Sequence, residues 1–532
     1  MSDPRADLPT HRVENQPPEP QDRDLWASDP VLRSAVAQPG GLAHYGATLG
    51  CAETRAQGRQ ANRHGPELRL FDTGGRRLDE VAFHPAYHQL MTVSQEAGYA
   101  ATAWDGGSHV EHAAMVYLAS QVEPGHCCPL TMTYAAVPAL AADPDLAARW
   151  TPKLTARAYD PRTLPIDAKS AVTLGMAMTE KQGGSDVRAN TTTAQQDGAQ
   201  WRLRGHKWFC SAPMSDGFLT LAQAPAGLTC FLVPRWLDGE RNAIHLMRLK
   251  NKLGNTANAS AEIEYHNALA YQLGEPGRGV QTIIEMVHHT RLDTAMAPAG
   301  IMRGALTQAM HWVRHRSAFQ RRLIDQPLMR AVLADLMLDW EGATRLGLHV
   351  AAAFDRTGQE DRAYARIAVA LAKFLNNKLC PRVTYEAMEA LGGMGYIEDT
   401  PMPLYYREAP LNGIWEGSGN VICLDILRTL AREPGARETL DAQLDAVAGT
   451  DRRYDAALEQ HRDTWRGVPD EVDARRYAER TALLLTASVL LADASHPVAD
   501  GFIGSRIAEA RGHIAGTTPN LDTAAILNGF DS

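Results

Sequence analysis

Residues 171–190, AVTLGMAMTEKQGGSDVRAN, mark the point at which the sequence changes from a helical to a strand-forming texture. From Ala171 to about Leu273 the chain consists of short segments rich in β-branched and aromatic residues, separated by Gly, Asn, Asp and Pro. No helix of useful length is predicted inside this region, so it lacks the βαβ alternation of a Rossmann unit. The sequence therefore predicts a compact β-domain in the middle of the chain.

Both flanks of this β-domain are predicted to be helical. Segments 84–104 and 110–123 carry apolar residues at spacings of three and four, whereas residues 1 to about 30 are typical of a loose, extended arm. After Gly279, three long periodic segments and a helix beginning near Asn420 indicate an antiparallel bundle. The predicted class is α+β, with separate helical and strand layers. The predicted domains are 1–170 (N-terminal arm and α-helical domain), 171–275 (middle β-domain), 276–432 (α-helical bundle) and 433–532 (additional helical domain).

The composition excludes several classes of protein. The chain has 532 residues, is 45% hydrophobic and carries a formal net charge of -9, so no overall basic surface for nucleic acid is expected. Seven cysteines lie apart without a Cys-x-x-Cys pair, which favours free thiols in a reducing cytoplasm. The N-terminus lacks the apolar region of a secretory signal, and the longest apolar run, residues 481–494, is too short to span a membrane. His311 and His315 lie one helical turn apart without an evident third ligand, so no metal site is predicted.

Two segments of the β-domain carry groups suited to a polar cofactor. In residues 176–190 a predicted strand ends at Thr179 and runs into Gly-Gly-Ser-Asp, where hydroxyl and backbone N–H groups offer hydrogen bonds. In residues 205–213, GHKWFCSAP, Phe209 and Ser211 face the same side of a strand and would cover and anchor a planar ring. Each segment alone also fits an ordinary turn or a strand of a half-buried sheet.

Two further segments mimic nucleotide-binding motifs. Residues 314–330 cluster arginines, including Arg316, near a predicted helix end; this suits phosphate binding, and a solvated basic helix end has the same pattern. Residues 392–395, GGMG, resemble part of a dinucleotide fingerprint but follow a helix instead of a strand, so the Rossmann interpretation fails its context test. A glycine-rich helix end that admits a ligand or a neighbouring chain stays open.

Residues 411–430, LNGIWEGSGNVICLDILRTL, place an acid in an unusual setting, with Glu416 between Trp415 and Gly417 just before an apolar run. An apolar wall raises the pKa of a carboxyl group, whereas a helix N-terminus lowers it. Such a group suits a general base, and equally an acid that caps the helix.

The helix that follows this acid has its own predicted cap and buried face. Ser418 or Asn420 is suited to cap the helix, and the flanking glycines permit close approach of another group. The apolar residues predicted to be buried on this helix are Val421, Leu424, Leu427 and Leu430.

Three segments together resemble the acyl-CoA dehydrogenase family of flavoproteins: MAMTEKQGGSDVRANTTTA, GHKWFCSAP and IWEGSGNVICLDILR. Their order and the helix–strand–helix layout also match that family. The strings MTEKQGGSDV and IWEGSGN are most similar to its AidB-like branch, which has an additional C-terminal helical domain. The resemblance covers essentially the whole chain. It implies an FAD-dependent oxidoreductase that introduces a CH=CH bond into an acyl-CoA, here of short or branched acyl type.

The resemblance also implies roles for particular residues. Glu416 falls at the position of the family's base, which removes the α-proton while hydride moves to flavin N5. Thr179 would lie near the isoalloxazine edge and Ser185 near the pyrophosphate. Arg316 matches an arginine that reaches the FAD of a neighbouring subunit, although the family's Phe-Gly pair is Phe-Gln here. The residues implied to bind FAD are Met176, Ala177, Met178, Thr179, Gly184, Ser185, Phe209, Cys210, Ser211, Arg316, Ile414, Trp415, Gly417, Ser418, Gly419, Asn420 and Leu424.

Departures from the family pattern keep other functions open. Trp415 and Asn420 differ from the usual Tyr and Gln around the glutamate, and Lys181 replaces a frequent Pro, so the substrate mouth is reshaped. One alternative is an AidB-like flavoprotein that binds double-stranded DNA in the response to alkylation damage, with weak dehydrogenase activity. Another is a flavin oxidase or monooxygenase.

The resemblance implies partners as well. It implies a homotetramer, with an electron-transfer flavoprotein or oxygen as the electron acceptor. Acids outnumber arginines from residue 441 onward and no lysine occurs there, which weakens the prediction of DNA binding.

Overall fold

The N-terminal region of the computed structural model is mainly helical; overall, the structure describes residues 4–36, 39–509 and 511–531. Its helices begin at recognisable caps: the fifth has a complete capping box between Ser108 and Glu111, and the fourth ends at Gly98 with φ 97°. The elements are α1 (Pro30–Ala35), α2 (Leu42–Gly50), α3 (Ala52–Arg63), β1 (Glu67–Phe71), β2 (Arg77–Ala82), α4 (Pro85–Ala97), α5 (His109–Ser120), α6 (Cys127–Leu140) and α7 (Pro144–Leu154).

The hairpin β1–β2 corrects the sequence prediction, which treated this region as helical. The two strands pair antiparallel across a turn that contains Asp72. The hairpin packs beside the β-domain, where Asp79 Oδ1 accepts a 2.8 Å hydrogen bond from the Leu246 N–H. Its strands are short and only partly buried, and the alternation of exposed and more buried residues along them was the available signal in the sequence.

The N-terminal arm is also more ordered than predicted. Residues 4–29 run over the surface in an extended conformation, without a long element of their own. The amide of Asn15 donates to the Ser317 carbonyl at 2.8 Å, and the Arg55 guanidinium donates to the Gln21 carbonyl at 2.6 Å. The predicted extended conformation is confirmed over residues 4–29, residues 1–3 lying outside the described residues. The prediction that the arm is loose is wrong, because contacts distant in sequence hold it in place.

The middle of the chain forms a closed β-barrel, with two further strands paired to its outside. Strands β11, β5, β4, β6 and β7 are neighbours in that order, and β7 pairs back with β11, which closes the ring. One further strand extends this sheet at each side: β10 pairs with β11, and β3 pairs with β6 in parallel. The strands are β3 (Leu174–Ala177), β4 (Thr193–Asp197), β5 (Gln200–Ser211), β6 (Gly217–Ala224), β7 (Gly227–Pro234), β8 (Trp236–Leu237), β9 (Glu240–Arg241), β10 (Ile244–Leu249) and β11 (Ser260–Leu273).

A bundle of long helices follows the barrel. The first three are packed against one another and form the largest part of the apolar core. The elements are α8 (Gly279–His315), β12 (Ser317–Ala318), β13 (Arg321–Arg322), α9 (Pro327–Phe354), α10 (Gln359–Ala390), α11 (Met402–Glu408) and α12 (Gly419–Arg432). The predicted α+β class, with a helical region, a barrel-like β-domain and a helical bundle, is confirmed.

Helix α12 buries a different face from the predicted one. Its buried apolar residues include Ile422, Ile426 and Leu430, whereas Leu424 is 37% exposed. Apolar residues occur on two neighbouring stripes of this helix, so periodicity alone does not select the buried stripe. The prediction is right at Leu430 and wrong at Leu424, and it overstates burial at Val421 and Leu427, which are half-buried.

The C-terminal region is helical and packs on the outside of the bundle. The Arg506 guanidinium joins it to α9 through buried ion pairs with Asp335 (2.6 Å) and Asp339 (2.8 Å). Within the described ranges no helix is long and apolar enough to cross a bilayer. The elements are α13 (Pro434–Asp445), α14 (Arg452–Thr464), α15 (Ala474–Asp493), α16 (His496–Phe502), a π-helical turn (Ile503–Ile507) and α17 (Thr523–Gly529).

Candidate active site

Glu416 lies on a strained backbone immediately before α12. Its φ is +55° and that of Gly417 is +101°, so two consecutive residues occupy the left-handed region. A non-glycine residue in this region is uncommon and is found most often where function requires it. Ser418 is the residue at the N-cap, but its side chain makes no cap hydrogen bond, so the predicted side-chain cap is absent. The turn instead directs Glu416 away from the helix axis and towards the bundle.

Cations from two other helices surround Glu416. On α10, the Lys373 ammonium donates to the carbonyl of Asn412 (3.0 Å) and to that of Gly417 (2.9 Å). On α8, the Arg291 guanidinium donates to the Glu416 carbonyl at 3.3 Å. These bonds fix the backbone on either side of the carboxylate.

The protonation of Glu416 and Lys373 reflects this setting. Burial raises the pKa of Glu416, opposed by a hydrogen bond with the Thr290 side chain and by the charges of Lys373 and Arg291. Burial also lowers the pKa of Lys373 to about 7, although the charge of Glu416 opposes it. A carboxylate with a raised pKa in a partly desolvated site is suited to accept a proton.

Asp425 supports this arrangement and was missed by the sequence analysis. Its carboxylate accepts hydrogen bonds from Arg291 at 2.6 Å and from Arg366 at 2.7 Å. Burial alone would raise the pKa of Asp425, but these two guanidinium groups hold it at about 2. An acid inside the apolar run VICLDILR was the available signal, because such a residue needs a buried partner.

A buried ion pair shapes the loop after β3. The Lys207 ammonium of β5 donates to Glu180 at 2.8 Å, with both side chains fully buried. The same carboxylate accepts from the N–H groups of Thr191 (2.7 Å) and Thr192 (3.2 Å). Burial would raise the pKa of Glu180, yet Lys207 and these hydrogen bonds hold it at about 2. The pair was also missed, although charged residues inside strand-like sequence signalled a buried partner.

The loop and the acid-bearing segment approach one apolar cluster. Trp415 packs against the same core cluster as Met176 and Met178, so the end of β3 and the turn before α12 border one apolar core. Burial raises the pKa of the Cys128 thiol to about 12, and the charge of Glu416 contributes to this rise, which places Glu416 near the same cluster. The structure therefore brings together the three segments that the sequence analysis selected independently.

The predicted cofactor residues of the β-domain divide into two groups. The side chains of Ala177 and Cys210 are buried in the barrel core, so any contact with a ligand would be made by their backbone. Phe209, in contrast, is 48% exposed, and Gly184 and Ser185 are exposed.

The predicted cofactor residues around α12 lie at the surface of the bundle. Ile414, Ser418, Asn420 and Leu424 are exposed. The amide oxygen of Asn420 accepts a 2.8 Å hydrogen bond from Arg475 of α15, so Asn420 does not cap α12. Gly419 approaches α10 closely, since a Cβ atom there would lie 3.2 Å from Lys378 Nζ.

Arg316 lies far from this group within one chain. It follows the last residue of α8, whereas Arg291 contacts Glu416 from the first half of the same helix. At 1.5 Å per residue, about 37 Å of helix axis separates the two arginines. The Arg316 guanidinium donates to the Asn15 carbonyl at 2.7 Å, which the sequence analysis did not foresee.

The donor set at the β3–β5 edge fits a flavin. Within the described residues the hydroxyl groups of Thr179 and Ser185 form no hydrogen bond. Phe209 exposes its ring on β5, one residue after Trp208, whose N–H donates to the Thr179 carbonyl at 2.8 Å. Free hydroxyls beside an exposed aromatic ring suit a ligand with a polar edge and a flat face. No group of three or more His, Cys, Asp or Glu in the described part of the chain could hold a metal ion.

Comparisons with known proteins identify the class. Residues 15–161 match the model "Adaptive response protein AidB N-terminal domain", residues 175–268 "Acyl-CoA dehydrogenase, middle domain" and residues 277–431 "Acyl-CoA dehydrogenase, C-terminal domain". The chain belongs to the acyl-CoA dehydrogenase family, whose members are FAD-dependent oxidoreductases that act on CH–CH groups. The predicted family, enzyme class and cofactor are thereby confirmed.

The similarity extends to a particular branch of that family. The chain is 43% identical over 508 residues to the putative acyl-CoA dehydrogenase AidB of Escherichia coli (strain K12), covering 93% of this chain and 94% of that protein. The predicted AidB-like branch is therefore confirmed.

Solved structures agree with this assignment. The structure of Caenorhabditis elegans ACDH-11 in complex with C11-CoA superposes with a TM-score of 0.84 at 26% identity, covering 93% of this chain and 94% of that chain. Butyryl-CoA dehydrogenase from Megasphaera elsdenii shares the fold with a TM-score of 0.59 at 19% identity, covering 76% of this chain and 97% of that chain.

Proposed function

We propose that Glu416 is the base that removes the α-proton of an acyl-CoA in this FAD-dependent dehydrogenase. The observation that carries the proposal is the strained turn of Glu416, a partly buried acid beside the apolar cluster shared with β3; backbone carbonyls of this turn accept hydrogen bonds from Arg291 and Lys373. The strained backbone of this turn is held by hydrogen bonds to its carbonyls, so the carboxylate is in position before the substrate arrives. Bound FAD supplies the hydride acceptor for the β-hydrogen.

The residues of this chain then have separate tasks. Glu416 accepts the proton at its carboxylate, and its raised pKa makes proton transfer from an activated carbon less unfavourable. Lys373 and Arg291 hold the turn and limit the rise of that pKa. Trp415 narrows the space beside the carboxylate, and the half-buried indole N–H is already committed to the Asn412 side chain at 2.7 Å.

The cofactor would lie against the β3–β5 edge. We infer that Thr179, Ser185, Phe209 and Ser211 contact it with their side chains, because these groups are uncovered or free to donate. Residues of the turn before α12, including Ile414, would cover the same ligand from the bundle side. The Glu180–Lys207 pair is fully buried, so it would stabilise the loop after β3 and not contact the cofactor itself.

A homotetramer completes the proposal. Arg316 is too distant to reach the FAD of its own chain by the geometry of α8, so its implied contact requires a second subunit. Exposed apolar side chains on the bundle side of the molecule, among them Phe319, Leu328 and Tyr396, are suited to an interface between copies. Light scattering after size-exclusion chromatography should give four times the chain mass; a monomer would contradict this part. The unpaired cysteines support a cytoplasmic location.

Double-stranded DNA remains a partner implied by resemblance alone, and the charges do not favour it. Most arginines after residue 440 are ion-paired with acids of the same region or of α9, as Arg453, Arg462 and Arg506 are. Paired arginines release few counterions on binding phosphate. We expect weak duplex binding at low salt that is lost at physiological salt, measured by fluorescence anisotropy.

An anaerobic panel of acyl-CoA thioesters tests the proposal. The purified flavoprotein is mixed with butyryl-, isovaleryl-, octanoyl- and undecanoyl-CoA, and bleaching of the flavin band is followed. We expect bleaching by at least one thioester. A coloured protein that none of them reduces would contradict the dehydrogenase and favour the DNA-associated alternative. Rapid reoxidation by oxygen would favour the oxidase, and slow reoxidation an electron-transfer flavoprotein as acceptor.

A further inference from the structure

The C-terminal region contains a cavity that the proposed dehydrogenation does not use. Its volume is about 320 Å³, and it opens between α14, α15 and the π-helical turn. That volume is at the lower end of the range for small-molecule sites. The cavity lies in the part of the chain that follows the last matched acyl-CoA dehydrogenase segment, which ends at residue 431.

One wall of the cavity is aromatic. The rings of His461 and Trp465 have centroids 5.0 Å apart, and Tyr477 packs behind them at 5.3 Å and 5.4 Å. His461 is only 6% exposed, and its Nδ1 has no hydrogen-bond partner in the described part of the chain. A buried polar atom without a partner is rare in a folded protein and indicates a group that is absent from the chain itself.

The cations of the cavity are incompletely neutralised. The guanidinium of Arg476 lies 5.2 Å from the Trp465 ring centroid and forms no ion pair within the described residues. Arg480 is largely buried and donates to the Ile507 carbonyl at 3.2 Å. Among the described residues its one acidic partner is Glu509, which lies 3.5 Å away with an 80% exposed side chain. Arg480 therefore brings positive charge into the cavity, whereas the exposed Arg476 and the acids Glu479 and Glu509 lie at its rim.

The protonation of His461 agrees with a site for an anion. Burial and, to a smaller extent, the charge of Arg480 lower the pKa of His461 to about 4, so the ring is neutral at pH 7. A neutral imidazole can donate one hydrogen bond while two arginines supply the charge. Arginine binds carboxylate and phosphate in the same bidentate manner.

We propose that this cavity binds a small planar anion, with its ring against Trp465 and His461 and its carboxylate or phosphate group between Arg476 and Arg480. Glu509 would be displaced from Arg480, since it is exposed and its contact is longer than a hydrogen bond. The site is separate from Glu416, so the proposal does not depend on the dehydrogenase chemistry.

Isothermal titration of the full-length flavoprotein tests this site. The probes are benzoate, phenyl phosphate, the neutral analogue benzamide and inorganic phosphate. Benzoate or phenyl phosphate should bind at least about tenfold more tightly than benzamide, because the neutral amide forms no charge-assisted hydrogen bond. The preference between the two anions identifies the acidic group. Inorganic phosphate should bind more weakly than phenyl phosphate, because it lacks the ring that stacks on Trp465.

Three variants give the test its controls. Arg476→Gln should weaken binding of the anions about tenfold or more, and Leu483→Trp should block the cavity and abolish binding. Arg466→Gln removes the same charge from an exposed residue that pairs with Asp463 outside the cavity, and should leave binding unchanged. No heat with any probe up to about 10 mM, or equal binding by wild type and the two cavity variants, would overturn the proposal. Equal affinity for inorganic phosphate and phenyl phosphate would show that the aromatic wall does not contribute to binding.

Discussion

The turn at Glu416 and the cavity at His461 contain similar residues but differ in what their cations bind. Each places a titratable side chain next to a tryptophan and near two cations. At Glu416 the cations bind backbone carbonyls of the same turn, which carries two residues with positive φ. At His461 the backbone is a regular helix, α14, and two arginines of the cavity, Arg476 and Arg480, come from the neighbouring helix α15.

The difference separates two uses of buried charge. Cations that bind the backbone around a carboxylate fix its position, as a base requires before the substrate arrives. Cations with few partners leave their hydrogen-bonding capacity for a ligand. The comparison therefore predicts that changes at the turn alter chemistry and stability strongly, whereas changes in the cavity alter them little.

The largest effect is expected at the base itself. Glu416→Gln keeps the size of the side chain but removes its ability to accept a proton, so flavin reduction by the best acyl-CoA should slow on the order of 10²- to 10⁴-fold. Anaerobic stopped-flow absorbance measures this rate, and the flavin content should be unchanged. Glu438→Gln, at an exposed position of α13, is the matched control. An unchanged rate in Glu416→Gln would remove this residue from the role of base.

The next effect concerns the support of the flavin loop. Lys207→Met leaves the Glu180 carboxylate buried without its cation, so the free energy of unfolding should fall by about 3–5 kcal/mol. Urea denaturation followed by circular dichroism measures it, and the flavin content should fall as well. Arg202, on the same strand as Lys207, forms an exposed pair with Asp197 of β4, and Arg202→Met should cost less than about 1 kcal/mol. Equal losses in both variants would show that the buried pair has no special role.

A smaller effect is expected in the pH dependence of flavin reduction. Because the positive charge of Lys373 lowers the pKa of Glu416, Lys373→Met should raise that pKa further. The base must be deprotonated, so the acid limb of the rate profile should move to higher pH. Lys373→Arg, which keeps the charge, should leave the limb near its original position. As a control, Lys378→Met removes an exposed charge from the same helix. A limb that does not move in Lys373→Met would contradict the proposed coupling.

The smallest effect is expected at His461. Its pKa is about 4 in the folded protein, below the ordinary value of 6.5, so the folded state disfavours the proton. The stability associated with neutral His461 is present above pH 6.5 and is lost as the pH falls towards 4. His461→Phe should therefore lose less stability than wild type over this range, and at pH 7 the two should differ by roughly 1 kcal/mol or less. Thermal melting at several pH values measures both, and identical pH slopes would contradict the prediction.

The two regions also differ in how well the sequence predicted them. The family, the α+β class and the segment around Glu416 were accessible because each depends on residues close together in the chain. The cavity could not be predicted from the sequence, because its wall comes from α14, α15 and the π-helical turn, and no short motif spans all three. For the same reason the docking of Asn15 on Ser317 was missed.

By itself, the sequence determined the class of protein, the order of its helical and strand regions, and the position of one conspicuous acid between Trp415 and Gly417. Local spacing and residue type are sufficient for these features. Only the tertiary structure decided that α12 buries Ile422 and Ile426 instead of Leu424, that Lys207 neutralises Glu180, and that Arg291 and Lys373 meet at the turn of Glu416. Such pairings join residues up to 125 positions apart, and packing of whole helices, not the local pattern, selects them.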